Sequence, residues 1–426
     1  MNVPVKLFQQ LKRAFPQGGV ARNSSWLLSA ELIAKVSRLF TIIALSSQLT
    51  SAMFGVVMLA LASHEIIRTI MRCGAGTQLV QCAENKLTVF AETAKALQWM
   101  LALLLLAVQC GVACIVGILY ENAQLTSLIL CMGITYLLFP VVSVNVFLLQ
   151  REGKFKYFSV RNAVCIIAEN AAVAALVFSP LELWSVVAGK FVFAALWVCL
   201  FYRAPVSQYA CKVNFNALSY LVSTSIQLFV SELLKASRQH ADLFIASKVF
   251  TPETAGLYAF ARSAGVGLTQ SLSTAFSSAL FPFLCKKVRE NHSSLLSAKL
   301  VLACVVIASA FVIQGVLAPV YIPMFFSDKW ALAIPVVSVL CFAAAPFLLF
   351  EIQNTAVRAL GLYKQESAAR LLLLLTTAAV LFGIAPQSPM QLASCMLLSN
   401  AVTVLLIFFY QYKPRLNTGD SRFSQL

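Results

Sequence analysis

ELIAKVSRLFTIIALSS, residues 31–47, is apolar enough to cross a bilayer, yet Lys35 and Arg38 stand near its middle, three residues apart on one helical face. Charge at that depth is costly unless it faces water, a partner or a ligand. Two readings follow. Either acids on neighbouring helices neutralise these cations, or the cations face a water-filled cavity and hold an anion there.

The rest of the chain has the same character. Of 426 residues, 60% are hydrophobic and 11% charged, too few charges to cover a soluble protein of this length. Apolar segments of about 20 residues, the length of a bilayer span, recur at 25–47, 50–73, 96–120, 124–149, 157–179, 182–202, 218–246, 254–283, 299–321, 331–355, 367–385 and 390–412. They predict an all-α integral membrane protein of twelve spans. The formal net charge of +16 lies in short loops and not in a solvated domain, which argues against nucleic acid. The twelve cysteines, Cys110 and Cys114 one turn apart among them, read as small hydrophobes, and no disulfide is expected. Residues 1–24 are basic and lack an apolar centre, so no cleavable leader is expected.

Loop lysines and arginines settle the expected orientation. All of them fall in the two tails or in the loops after even-numbered segments, except Lys248 and Lys329 on the other side. By the positive-inside rule both termini are cytoplasmic. The longest loops, 74–95 and 203–217, have room for a short interfacial helix but not for a folded domain. No GxxxxGK[ST] is present, so neither a catalytic unit nor an ATP-driven pump is expected, and no cofactor.

The opening stretch has an echo. Residues 29–38 (SAELIAKVSR) align with residues 230–238 (VSELLKASR) through a one-residue gap, and Phe54-Gly55 matches Ala255-Gly256. Six spans restore the orientation, so the echo reads as a parallel repeat with a substrate site between its halves. The expected lobes are 1–202 and 218–412, joined by a cytoplasmic linker 203–217 and followed by a tail 413–426. In this arrangement Lys35, Arg38, Arg68, Lys235, Arg238 and Arg262 converge, with Glu31, Glu65, Glu232 and Asp242 nearby. Spacing permits Glu31–Lys35, Glu232–Lys235 and Arg238–Asp242 pairs on single helix faces, which would make the set glue between spans. Six cations against four acids leave a positive surplus, however, and a surplus in low dielectric needs water or an anion. The six cations are therefore the candidate anion ligands. The four acids are the candidates for ion coupling, Asp242 being nearest the outer end.

Other interior groups read more plainly. Glu169 and Lys190 pair with each other or serve the cavity; Glu351 and Arg358 snorkel at the cytoplasmic end of the tenth span. His240 reads as a satisfied hydrogen-bonder, and Pro140, Pro282, Pro319 and Pro346 as kink sites.

Residues 241–284 (ADLFIASKVFTPETAGLYAFARSAGVGLTQSLSTAFSSALFPFL) carry Asp242, then Gly256 and Tyr258 opening the eighth span, then Phe281-Pro282 closing it. Together with residues 54–81 and their turn at Gly74 and Gly76-Thr77, this resembles the bacterial Wzx-type polysaccharide flippases. The resemblance implies the multidrug/oligosaccharidyl-lipid/polysaccharide (MOP) exporter superfamily, with a MATE-like fold of two six-helix lobes opening alternately to either side of the inner membrane. It also implies an undecaprenyl-pyrophosphate-linked oligosaccharide, such as an O-antigen repeat unit of lipopolysaccharide, as cargo. Other polysaccharide assembly proteins, a polymerase or a chain-length regulator, would be its partners. A pyrophosphate would suit the arginines, which bind it bidentately. Two alternatives remain: a MATE-like multidrug exporter, whose cavity should favour acids, and a membrane-embedded glycan polymerase, which should carry a large outward loop.

Overall fold

The computed structural model describes residues 19–72, 79, 84–152, 154–202, 209–289 and 298–412. Gly74, Gly76 and Thr77 lie outside the described residues, as do the side chains of Glu31, Lys35 and Pro282. The first half contains α1 (Gly19–Gln48), α2 (Ser51–Arg72), α3 (Leu87–Leu119), α4 (Ala123–Gly133), α5 (Pro140–Arg151), α6 (Phe155–Leu176) and α7 (Ser185–Phe201). The second contains α8 (Phe215–Val249), α9 (Pro252–Arg289), α10 (Ala298–Val316), α11 (Ala318–Phe325), α12 (Ile334–Ala359), α13 (Tyr363–Ile384) and α14 (Pro389–Tyr412). No strand occurs among the described residues.

Each expected segment falls on one helix or on one bent pair. The α4–α5 pair turns by 57° and the α10–α11 pair by 62°. Proline explains both breaks. Pro140 opens α5 and Pro319 sits in the first turn of α11, where a missing N–H is tolerated at a helix start but interrupts a continuous helix. Pro346 lies inside α12, which continues to Ala359. Among the described residues, seven helices are long and apolar enough to cross a membrane, or nine if each bent pair is one span. The remaining long helices, α1, α8 and α9, are the ones that carry Arg38, Arg238 and Arg262.

One helix start differs from expectation. Between 74 and 95, Glu84–Lys86 form a single 3-10 turn, and α3 begins at Leu87 instead of near 96. The cause is a short apolar stripe at helical spacing: Phe90, Ala94 and Leu97 pack on Leu221 of α8, with Phe90 edge-on to Tyr220 at 5.8 Å. Burial of that stripe favours helix beyond the bilayer-length segment.

The two halves repeat one neighbour pattern. The first helix packs on the fifth span (α1 on α6, α8 on α13) and the second on the fourth (α2 on α4, α9 on α12). The fifth span also packs on the sixth in each half (α6 on α7, α13 on α14). The halves meet where α1 and α2 face α8 and α9. This seam is tightest at one end, referred to below as the closed end. There Phe54, Phe260 and Trp330 are fully buried, Trp330 stacking on Phe260 at 4.2 Å and meeting Phe54 edge-on at 5.4 Å. The starts of α2 and α9 touch through glycine: a Cβ on Gly256 would lie 1.7 Å from the Ser51 carbonyl oxygen, and one on Gly55 would lie 3.1 Å from the Gly256 Cα. Only the absent side chain allows the backbones so close.

Candidate functional site

Deeper along the seam the charges gather. Arg68 pairs with Glu65 one turn back on α2 at 3.0 Å and its guanidinium sits 5.6 Å from the Phe193 ring centroid. Lys190 of α7 pairs with Glu169 of α6 at 2.6 Å, which settles those two residues as partners. Across the seam, Arg262 of α9 pairs with Asp242 of α8 at 3.0 Å, and Tyr258 donates to the same carboxylate at 3.1 Å. Arg262 also donates to the Gln239 carbonyl.

The helix-face pairs expected in the second half are replaced by longer-range ones. Asp242 is taken by Arg262 and Tyr258, not by Arg238. Glu232 pairs with Arg358 at 2.7 Å, not with Lys235, and Lys235 lies 3.3 Å from Glu351 of α12. Glu351 also pairs with Arg370 of α13 at 2.8 Å. Arg370 reaches Glu366 at 3.2 Å, and Arg358 reaches Glu366 at 2.5 Å. Ser231 of α8 closes the set, donating to Glu366 at 2.8 Å and accepting from Arg370 at 3.0 Å. Glu351 and Arg358 therefore do not snorkel. They belong to a network of three carboxylates and three cations that ties α8 to α12 and α13, and Glu366 is fully buried within it. Glu351 and Glu366 are each shared between two cations and Glu232 is held by Arg358, which leaves little reason for any member to reach for water. The sequence reading passed over Glu366 and Arg370, though their i,i+4 spacing near the start of α13 was a usable signal.

Once these pairs are made, two arginines are left over. Arg38 is exposed and, among the described residues, has no hydrogen-bond or ion-pair partner. Yet Glu65, Glu169, Arg68 and Arg262 all lie close enough to act on its charge. It therefore lies beside the charged seam without a partner of its own among the described residues. Arg238, 7% exposed, has no carboxylate in ion-pair contact. It donates to neutral acceptors on α14, Asn400 Oδ1 at 2.8 Å and Ser399 Oγ at 3.4 Å, and its Nε has no partner. These are the two residues that end the SAELIAKVSR and VSELLKASR echoes. Among the described cations of the candidate set, those without an acid partner are thus two matched positions.

Two histidines differ from the sequence expectation or lay outside it. His240 is not satisfied, because its Nδ1 is buried without a partner. Its charged neighbours are Arg262, Glu65, Asp242 and Arg38, so it borders the same space. His64 of α2 lies in a fully enclosed ring: Gln109 Nε2 and Tyr136 Oη are each 3.1 Å from its Nδ1, and Tyr136 donates to Gln109 Oε1 at 2.6 Å. This neutral network binds α2, α3 and the 3-10 turn before α5 into one unit. Buried polar groups satisfied this way fix register between helices that apolar packing alone would let slide.

Among the described residues the chain is all-helical, with several apolar helices of membrane-spanning length, two similarly wired halves and a charged seam between them. Residues 45–335, more than half of the chain, match the sequence family described as polysaccharide biosynthesis protein, and the chain belongs to that family. No curated protein sequence matches it. Among solved structures, it is similar to the lipid II flippase MurJ in an inward closed conformation. The TM-score is 0.69 at 12% identity, covering 90% of this chain and 87% of that one. It is similar also to an inward-facing multidrug resistance MATE family transporter of the MOP superfamily, with a TM-score of 0.69, 10% identity and coverages of 91% and 97%. An outward-facing MATE family transporter gives a TM-score of 0.58 at 10% identity, with coverages of 92% and 94%. At these identities the likeness establishes the fold.

Proposed function

We propose that this chain is a flippase for lipid-linked oligosaccharides, a transporter and not an enzyme. Its cargo on this reading is an undecaprenyl-pyrophosphate-linked repeat unit of the O-antigen or a related surface polysaccharide, as for Wzx-type members. It crosses the bacterial inner membrane by alternating access of lobes 1–202 and 218–412. The observation that carries this reading is the pair of arginines without a carboxylate. Arg38 and Arg238 occupy matching positions in the two halves, and both border a seam where every other described cation of the candidate set has an acid partner. A diphosphate needs fixed positive charge offered as a planar fork, and an unpaired cation favours an anionic cargo over the cationic drugs of a multidrug exporter. Arg68, Lys235 and Arg262 are held by acids that a diphosphate would have to displace, so they serve release as well as binding.

Arg38→Ala and Arg238→Ala should each reduce surface glycan about tenfold or more, the scale of one lost charge-assisted hydrogen bond, with the protein at its normal membrane level. Lysine at either position should rescue only in part, because the bidentate fork is gone. Normal glycan in both alanine variants would leave the ion pairs as structural glue and end the cavity reading. A reconstituted flipping assay under an imposed pH gradient tests coupling through Asp242: a rate indifferent to the gradient removes proton coupling.

The charge split supports cytoplasmic termini on this reading, with the closed end toward the periplasm. Cysteines introduced at Ser327 and Gln387 should react with an impermeant maleimide on intact cells, and those at Gly153 and Ser294 should not. The reverse pattern would invert the assignment.

A further inference from the structure

Lys248, in the last turn of α8, and Lys329, in the 3-10 turn before α12, are the two lysines on the sparsely charged side, and both sit at the closed end of the seam. Each reaches across it to the end of a helix in the other half. Lys329 donates to the carbonyls of Leu49 at 2.9 Å and Ser47 at 3.3 Å, where α1 terminates. Lys248 donates to the carbonyl of Leu119, the last residue of α3, at 2.9 Å. Next to Lys329, the buried Trp330 donates from Nε1 to the Ser46 carbonyl at 3.0 Å. Tyr120 answers in the other direction, donating to the Phe244 carbonyl of α8 at 2.8 Å.

The last carbonyls of a helix have no partner within it and sit at the negative end of its dipole, so an ammonium there is favoured twice over. The contrast with the interior ion pairs is instructive. The Glu65–Arg68, Glu169–Lys190, Asp242–Arg262 and Glu351–Arg370 pairs each lie within one half, so the halves can separate without stranding a buried charge. At the closed end the bonds that the two lysines, Trp330 and Tyr120 make between halves run to backbone oxygens, and both lysines are exposed. On separation, water can solvate the freed ammonium groups and the freed carbonyls alike. A bond of this kind holds a state without making its opposite prohibitive.

We infer that Lys248, Lys329 and Trp330 form a releasable latch that holds this end of the seam shut, by capping from one half the helix ends of the other. The inference concerns the resting balance between closed and open forms of the protein without cargo, and so stands apart from what the cargo is.

The test is a distance measurement between spin labels on Gln124 and Met324, exposed positions on the two halves near this end. It is made in nanodiscs after serine replacement of the accessible native cysteines. The parent should give one dominant distance. Lys248→Met with Lys329→Met keeps the apolar stems and removes both donors, and should raise the population at longer distance by about tenfold for each charged hydrogen bond lost. Lys248→Arg with Lys329→Arg should restore the parent distribution. Should the methionine double variant fail to give a monodisperse protein, Trp330→Phe carries the same comparison, since it keeps the aromatic stack and deletes one donor. A distribution unchanged in the methionine variant, or unchanged in Trp330→Phe where that variant replaces it, overturns the latch. Surface glycan plays no part in this readout, so its failure would leave the proposed cargo untouched.

Discussion

Replacing Glu366 by alanine should destabilise the protein by about 3–5 kcal/mol, the loss expected when a buried ion pair is broken from one side. Glu366 is fully buried. It accepts from Arg358 at 2.5 and 2.8 Å, from Arg370 at 3.2 Å and from Ser231 at 2.8 Å. Its removal leaves two guanidiniums to share Glu232 and Glu351, so three cations face two acids in low dielectric. The charge excess, not the lost hydrogen bonds, accounts for most of the effect. Adding Arg358→Met to Glu366→Ala restores the balance and should recover a large part of the stability, with a coupling of about 0.5–3 kcal/mol in a double-mutant cycle. Thermal unfolding in detergent followed by tryptophan fluorescence reads this directly. If Glu366→Ala unfolds at the parent temperature, the network is not a structural unit.

Gly256→Ala should rank next and should act through the backbone. Its new Cβ would fall 1.7 Å from the Ser51 carbonyl oxygen, and no rotamer change can relieve a clash with main chain. The starts of α2 and α9 must part, which loosens the packing of Phe54 and Phe260 with Trp330 behind them. The destabilisation should be about 1–3 kcal/mol or more, the range for overpacked cores. Gly55→Ala should do less, because its Cβ would meet the Gly256 Cα at 3.1 Å, a contact that a shift of a few tenths of an ångström relieves. Gly111→Ala on α3 meets nothing within 4 Å and should be neutral or slightly stabilising through helix propensity. Unfolding temperatures that fail to follow the order Gly256, Gly55, Gly111 would show that close glycine packing does not hold this end.

Much of the architecture was legible because it is local. Apolar runs of bilayer length mark helices without reference to their neighbours, and Pro140 and Pro319 announce their breaks through a missing donor that any context must accommodate. The echo between residues 29–38 and 230–238 likewise placed Arg38 and Arg238 at corresponding positions, among six candidate cations. The start of α3 at Leu87 was missed because its stripe of Phe90, Ala94 and Leu97 is too short to signal a span and gains its stability by docking on α8.

Charge pairing belonged to the tertiary structure. Spacing of three or four residues permits Glu232–Lys235 and Arg238–Asp242, but it does not exclude stronger partners brought in from elsewhere. Arg358 lies 126 residues from Glu232 and still takes it, with Glu366 completing a fork on the same guanidinium. Arg262 takes Asp242 with help from Tyr258. A buried carboxylate goes to the donors that best repay its desolvation, and which donors those are depends on how helices cross. Sequence therefore determined which residues carry charge into the membrane and at what depth. Only the packing of the helices decided which are neutralised, and among the described cations of the candidate set it left Arg38 on α1 and Arg238 on α8 without an acid in ion-pair contact.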